Sequence, residues 1–182
     1  MAEGTAAKPI IFTSILDGIQ PGQINSTLTK LDLGKWGGLI VLGNAPISAT
    51  NGDTEAQIEG IPGDVAFGKF GGTNATDNSG VIKYVSVRFG GALIGDGNEI
   101  NGITLGGVGS GTVVENIEIV ANKDDGLEIF GGTVNVKNVI VAYQDDDAID
   151  FDFNYSGTVD NFYVIMGGGG TDEGLEIDGP EG

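Results

Sequence analysis

Asp124-Asp125-Gly126-Leu127-Glu128-Ile129-Phe130-Gly131-Gly132-Thr133-Val134-Asn135-Val136-Lys137-Asn138-Val139 decides the fold. The stretch holds two short runs in which apolar and polar residues alternate, and a glycine pair lies between them. Alternation of period two marks a strand with one buried face, and glycine pairs mark turns. The first run, Gly126-Leu127-Glu128-Ile129, has three relatives: Gly102-Ile103-Thr104-Leu105, Ala148-Ile149-Asp150-Phe151 and Gly174-Leu175-Glu176-Ile177. Their starts lie 24, 22 and 26 residues apart. The second run, Val136-Lys137-Asn138-Val139, recurs as Val114-Glu115-Asn116-Ile117 and Val159-Asp160-Asn161-Phe162. Two strand-like runs per period, with no helical periodicity, predict an all-β, right-handed parallel β-helix of about 22–26 residues per rung.

Such a coil places residues one period apart in adjacent rungs, roughly 4.8 Å away. Ile103, Leu127, Ile149 and Leu175 are expected to stack as one interior column, and Leu105, Ile129, Phe151 and Ile177 as a second. Asn116, Asn138 and Asn161 would form a ladder of side-chain amides with a structural role. The chain reads as one domain over residues 1–182, with irregular rungs over 1–99 and regular ones over 100–182. Insertions are expected at 44–56, 71–79 and 92–99, and the whole length suggests seven or eight rungs. Earlier strands are expected at Pro9–Thr13, Gly34–Gly43 and Val81–Phe89, with short runs at Ala56–Ile61 and Val65–Phe70.

Composition removes several function classes. Cysteine and histidine are both absent, which excludes disulfides, thiol or imidazole catalysis and the usual zinc sites. The net charge of −18 repels nucleic acid and anionic lipid heads and favours hard cations. No apolar stretch is long enough for membrane insertion. Gly107-Val108-Gly109-Ser110-Gly111 is followed by no helical pattern and reads as a turn, not a nucleotide loop. Asp150-Phe151-Asp152-Phe153-Asn154 lacks the glycine and terminal glutamate of an EF-hand.

The acids fall in two columns. Asp124 and Asp125, then Asp145, Asp146 and Asp147, then Asp172 occupy the turn before each repeat. Glu128, then Asp150 and Asp152, then Glu176 occupy the outward face of the strand that follows. Stacked carboxylates repel, so the columns call for bridging cations, raised pKa values or solvent screening. Bridging Ca²⁺ on these ten residues is the favoured account. Solvated charge and catalytic carboxylates stay open beside it.

Asp124–Asn135, Asp145–Asp152, Asn98–Thr112 and Gly34–Ile47 together resemble a group of secreted or lipid-anchored bacterial surface proteins of Bacteroidetes-like genomes. The resemblance implies a parallel β-helix and a secreted or cell-surface location. It also implies strands beyond both ends, so the chain is expected to start and stop in mid-solenoid. Gln144-Asp145-Asp146 further resembles the paired-aspartate segment of pectin-hydrolysing β-helix glycosidases. Those enzymes also use a histidine, which this chain lacks, and pectate lyases use an arginine, for which only Arg88 is present. The favoured function is therefore an extracellular or cell-surface structural or adhesive β-helix, cation-stabilised, with copies stacking end to end through unpaired rungs. A polysaccharide-binding or polysaccharide-cleaving β-helix is the alternative. A subunit of an extracellular or virion appendage is a second. Tyr143, Phe153, Tyr155 and Tyr163 are the aromatics that a glycan-binding face would expose.

Overall fold

The computed structural model describes residues 1–94, 99–167 and 169–181. Thirteen strands lie in chain order: β1 (Ala2–Glu3), β2 (Ile10–Phe12), β3 (Leu39–Leu42), β4 (Ala56–Gln57), β5 (Lys69–Phe70), β6 (Val81–Arg88), β7 (Ile103–Gly106), β8 (Val113–Val120), β9 (Leu127–Phe130), β10 (Asn135–Ala142), β11 (Ile149–Asp152), β12 (Thr158–Ile165) and β13 (Glu176–Ile177). The long strands make one parallel sheet in the order β1-β6-β8-β10-β12, with β2 also paired to β6. The short strands make a second parallel sheet, β13-β11-β9-β7-β3. Each pass from a long strand to a short one and back advances the chain by one rung, giving the right-handed parallel β-helix.

Five rungs are present among the described residues, fewer than seven or eight. The difference lies in two excursions. Residues 13–38 and 43–80 leave the coil and consume the length of further rungs. The expected insertions at 44–56 and 71–79 are parts of one excursion that carries its own antiparallel pair, β4 and β5. Of the expected insertion at 92–99, residues 95–98 lie outside the described residues.

The register matches the repeat. Leu39, Ile103, Leu127 and Ile149 stack in one column, and Val41, Leu105, Ile129, Phe151 and Ile177 in the next. Ile103, Leu105, Ile129 and Ile149 are completely buried. Each such side chain contributes roughly 1.5–3 kcal/mol by leaving water.

Every long strand bends at one residue. Tyr84, Asn116, Asn138 and Asn161 have φ of 49°, 58°, 58° and 59°, the left-handed region that asparagine tolerates better than most residues. The bend shifts the alternation by one, so Val114, Ile117 and Ile119 all face inward. The amides interlock across rungs: Asn138 Nδ2 donates to Asn116 Oδ1 at 3.0 Å, and Asn161 Nδ2 donates to Asn138 Oδ1 at 3.3 Å. Beside this ladder runs an outward column of alternating charge, Lys83, Glu115, Lys137 and Asp160, with Lys83 Nζ 2.9 Å from Glu115 Oε2.

The outer face of the short sheet is covered. Excursion 43–80 lies across it, and Ile58 and Phe70 pack there with Phe130, Ile40, Leu42, Ile47 and Phe153. Phe70, Phe130 and Phe153 form a ring cluster with centroids 5.7–5.9 Å apart. This corrects the expectation that the outward face of these strands meets solvent. Glu128 and Asp150 do point away from the coil interior, yet they are only 5% and 8% exposed.

Candidate cation site

Three elements build the site. The turn before β9 carries Asp124 and Asp125, the turn before β11 carries Asp146 and Asp147, and the outward positions of β9 and β11 carry Glu128 and Asp150. Adjacent register places Glu128 directly beside Asp150. The carboxylate oxygens of Asp125, Glu128 and Asp150 lie within 4.8 Å of one another, and all three residues are buried. Asp125 also joins Asp124 and Asp146 in a second group of the same spacing that opens toward solvent.

The ten acids suggested by the sequence separate into distinct roles. Asp125, Glu128 and Asp150 form the inner group, and Asp124 and Asp146 the outer one. Asp147 serves the coil: the Asp147 N–H donates to Asp125 Oδ1 at 3.0 Å, and Asp147 Oδ1 accepts the Glu173 N–H. Each turn acid thus caps the backbone one rung on. Asp145 pairs with Lys123, whose Nζ lies 2.6 Å from Asp145 Oδ2. Asp152, Asp172 and Glu176 join neither group; Asp172 and Glu176 are exposed, because no further strand lies over the last rung among the described residues.

Two residues complete the site that the repeat alone did not single out. Asn101 occupies the rung position before Asp125, in the turn preceding β7, and is 1% exposed. Its Nδ2 donates to Glu128 Oε2 and, at 2.9 Å, to Glu59 Oε1. Glu59 comes from the excursion. Asn101 was legible as the first member of the turn column, whereas Glu59 lies in no periodic pattern.

The electrostatics follow from burial without a counter-charge. Burial, then Asp124 beside it, pushes the Asp125 carboxyl up to about 9. Burial, then the Glu59, Asp125 and Asp150 carboxylates, holds Glu128 far above the ordinary range. Burial also raises Asp150. Asp124, partly open, rises to about 6, through burial and then Glu59 and Glu99. Asp150 Oδ1 is buried and has no hydrogen-bond partner among the described residues. Charged groups in such surroundings must be protonated or neutralised by a cation.

The donor set is carboxylate oxygen. It fits Ca²⁺, a hard cation that takes six to eight such ligands, and it lacks the nitrogen and sulfur donors that favour zinc. Arg88 is held elsewhere, bonded to Glu118, Ser86 and the Ile24 carbonyl on the long-sheet side.

No helix is long and apolar enough to cross a membrane among the described residues. No curated protein and no solved structure matches the chain. The profile of the pectate-lyase-like beta helix domain matches residues 1–181, in agreement with the coil of parallel rungs described above, and the chain belongs to that family.

Proposed function

We propose that this chain is a secreted or cell-surface structural β-helix whose acidic seam holds Ca²⁺ and whose copies stack end to end. One observation carries the reading: Asp125, Glu128 and Asp150 converge, buried, with their oxygens within 4.8 Å and no cationic side chain among them. Lys123 is committed to Asp145, and Arg88 to Glu118. A divalent ion would satisfy the trio, as well as the unpartnered Asp150 Oδ1, and would join two consecutive rungs. Sites that work outside cells tolerate Kd values of roughly 10⁻⁴–10⁻³ M, so a modest site would be filled there. The resemblance to bacterial surface proteins supports the same location. Stacking is supported by the outer edges of β3 and β13, which have no strand beside them among the described residues.

Titration calorimetry of chelator-stripped protein with CaCl2 tests the reading. Saturable binding is expected, and its absence at millimolar Ca²⁺ would remove the proposal.

A second reading, glycan binding, draws on the family match and on one surface. Tyr163 is 65% and Phe162 44% exposed, beside the asparagine ladder, in a groove of about 470 Å³. The other aromatics do not contribute. Tyr155 stacks on Phe151 and bonds the Val134 carbonyl, Phe153 sits in the ring cluster, and Tyr143 lies under Lys30.

A further inference from the structure

We infer that Glu59 is a ligand brought to the cation by the excursion, and that loading the cation fastens the β4–β5 hairpin onto the sheet face. The inference rests on the Ca²⁺ reading above and adds a moving part to it. The hairpin is held from below by apolar contact: Ile58 is 1% exposed, and Phe70 sits among Phe130 and Phe153. Its hydrogen bonds are mostly its own, including Ile58 N–H to the Gly68 carbonyl at 2.8 Å and Gln57 Nε2 to the Ile61 carbonyl at 3.2 Å. Among the described residues, the hydrogen bond that crosses from segment 55–68 to the coil is the one from Asn101 to Glu59.

That crossing point is poorly matched without a cation. Glu59 and Glu128 converge on the single Asn101 amide, two acceptors on one donor group. Two ionised carboxylates this close would repel, so the hairpin closes here only with a proton or a cation between them. Behind them Asp150 Oδ1 is enclosed and unpaired unless Glu128 carries a proton, and a cation there would meet both carboxylates. A divalent ion among these oxygens takes the place of the proton and ties hairpin to sheet. Glu59 is itself exposed, so it stands at the rim, on the solvent side of the buried trio. It is therefore the ligand met first by an entering ion and the one that closes behind it. Gly60, at φ 69°, turns the chain immediately after Glu59 and keeps this carboxylate at the rim.

Amide hydrogen exchange of segment 55–68 tests the coupling, in EGTA and in millimolar CaCl2, for the wild type and for Glu59→Gln, with calorimetry run on both. In the wild type, Ca²⁺ at about nine times Kd should slow exchange in this segment by on the order of tenfold, the factor by which an ion bound only to the closed hairpin lowers its opening. In Glu59→Gln, exchange there should be the same with and without Ca²⁺, and any remaining Ca²⁺ binding should be weaker. Wild-type protein that binds Ca²⁺ with unchanged hairpin exchange would overturn the coupling and leave the cation reading standing. Retained Ca²⁺-dependent slowing in Glu59→Gln would overturn the assignment of Glu59. A wild type that binds no Ca²⁺ in the calorimeter would bring down the parent reading, and this one with it.

Discussion

Replacing Glu128 by glutamine should leave the metal-free protein almost unchanged and remove most of its response to Ca²⁺. Glu128 is 5% exposed and accepts from Asn101, and three further carboxylates surround it. Burial among those carboxylates keeps a proton on Glu128 at neutral pH. Glutamine matches a protonated glutamate in size and can still accept from the Asn101 amide. The change in stability in EGTA should therefore stay below about 1 kcal/mol, the net worth of one exchanged hydrogen bond. With Ca²⁺ the two proteins should diverge. At a hundred times Kd, an ion that binds only the folded chain adds about 2.7 kcal/mol. For a domain of 182 residues each kcal/mol moves the midpoint by roughly 2–4 °C, so the wild type should gain roughly 5–11 °C. The variant should gain only a small fraction of that. Differential scanning calorimetry at fixed ionic strength, with EGTA or with Ca²⁺, supplies all four midpoints. A variant that loses several kcal/mol in EGTA would show that Glu128 is ionised and paired. A variant that keeps the full Ca²⁺ gain would remove Glu128 from the site.

The remaining predictions concern the coil and its protons. Ile149→Asp should unfold the C-terminal rungs, because it puts an unpaired charge at an interior position that is 0% exposed, whereas Asp150→Asn one residue on should fold normally by circular dichroism; equal damage from both would reverse the inward and outward faces. In EGTA the melting midpoint should fall as pH rises from 5 to 9: Asp124 and Asp125 hold their protons more tightly folded than unfolded, so the stability they give is complete below about pH 4 and is lost as pH passes about 6 and then about 9. A midpoint that climbs over that interval would contradict their burial. Asn138→Val should cost about 1–2 kcal/mol more than Asn138→Gly in urea titrations, since both break the amide ladder but only valine is strained at φ 58°; equal costs would mean that the bend does not constrain the side chain.

Much of the coil was legible because the repeat states the register directly. Ile103, Leu127 and Ile149 stack as their spacing requires, and the asparagine columns follow from the same period. The covered outer face left a weaker trace. In Gly126-Leu127-Glu128-Ile129-Phe130 both Ile129 and Phe130 are apolar, although alternation sends them to opposite faces. One of them had to be buried outside the coil, and Leu42 occupies the equivalent place in β3. What buries them comes from residues 43–80, which carry no repeat, so pattern reading gave short apolar runs without a destination. Glu59 was hidden for the same reason: it meets Asn101 across 42 residues of sequence, through a contact that no period encodes. The acids were recognised as columns, but their division into ion pair, backbone caps and converging trio depends on side-chain direction.

The outward column Lys83, Glu115, Lys137 and Asp160 bears on how the chain avoids assembling wrongly. A coil of near-identical rungs is prone to a particular error, in which one turn loops out and its neighbours close over the gap. That product loses the burial of the looped turn, yet apolar packing does not distinguish the new neighbours from the correct ones. The charges do. Omitting β8 would set Lys83 against Lys137, and omitting β10 would set Glu115 against Asp160. In the correct order every neighbour in the column is opposite in sign; with a turn missing, the pair that meets is alike. A ladder worth little as a source of stability can thus act as a parity check on the count of turns.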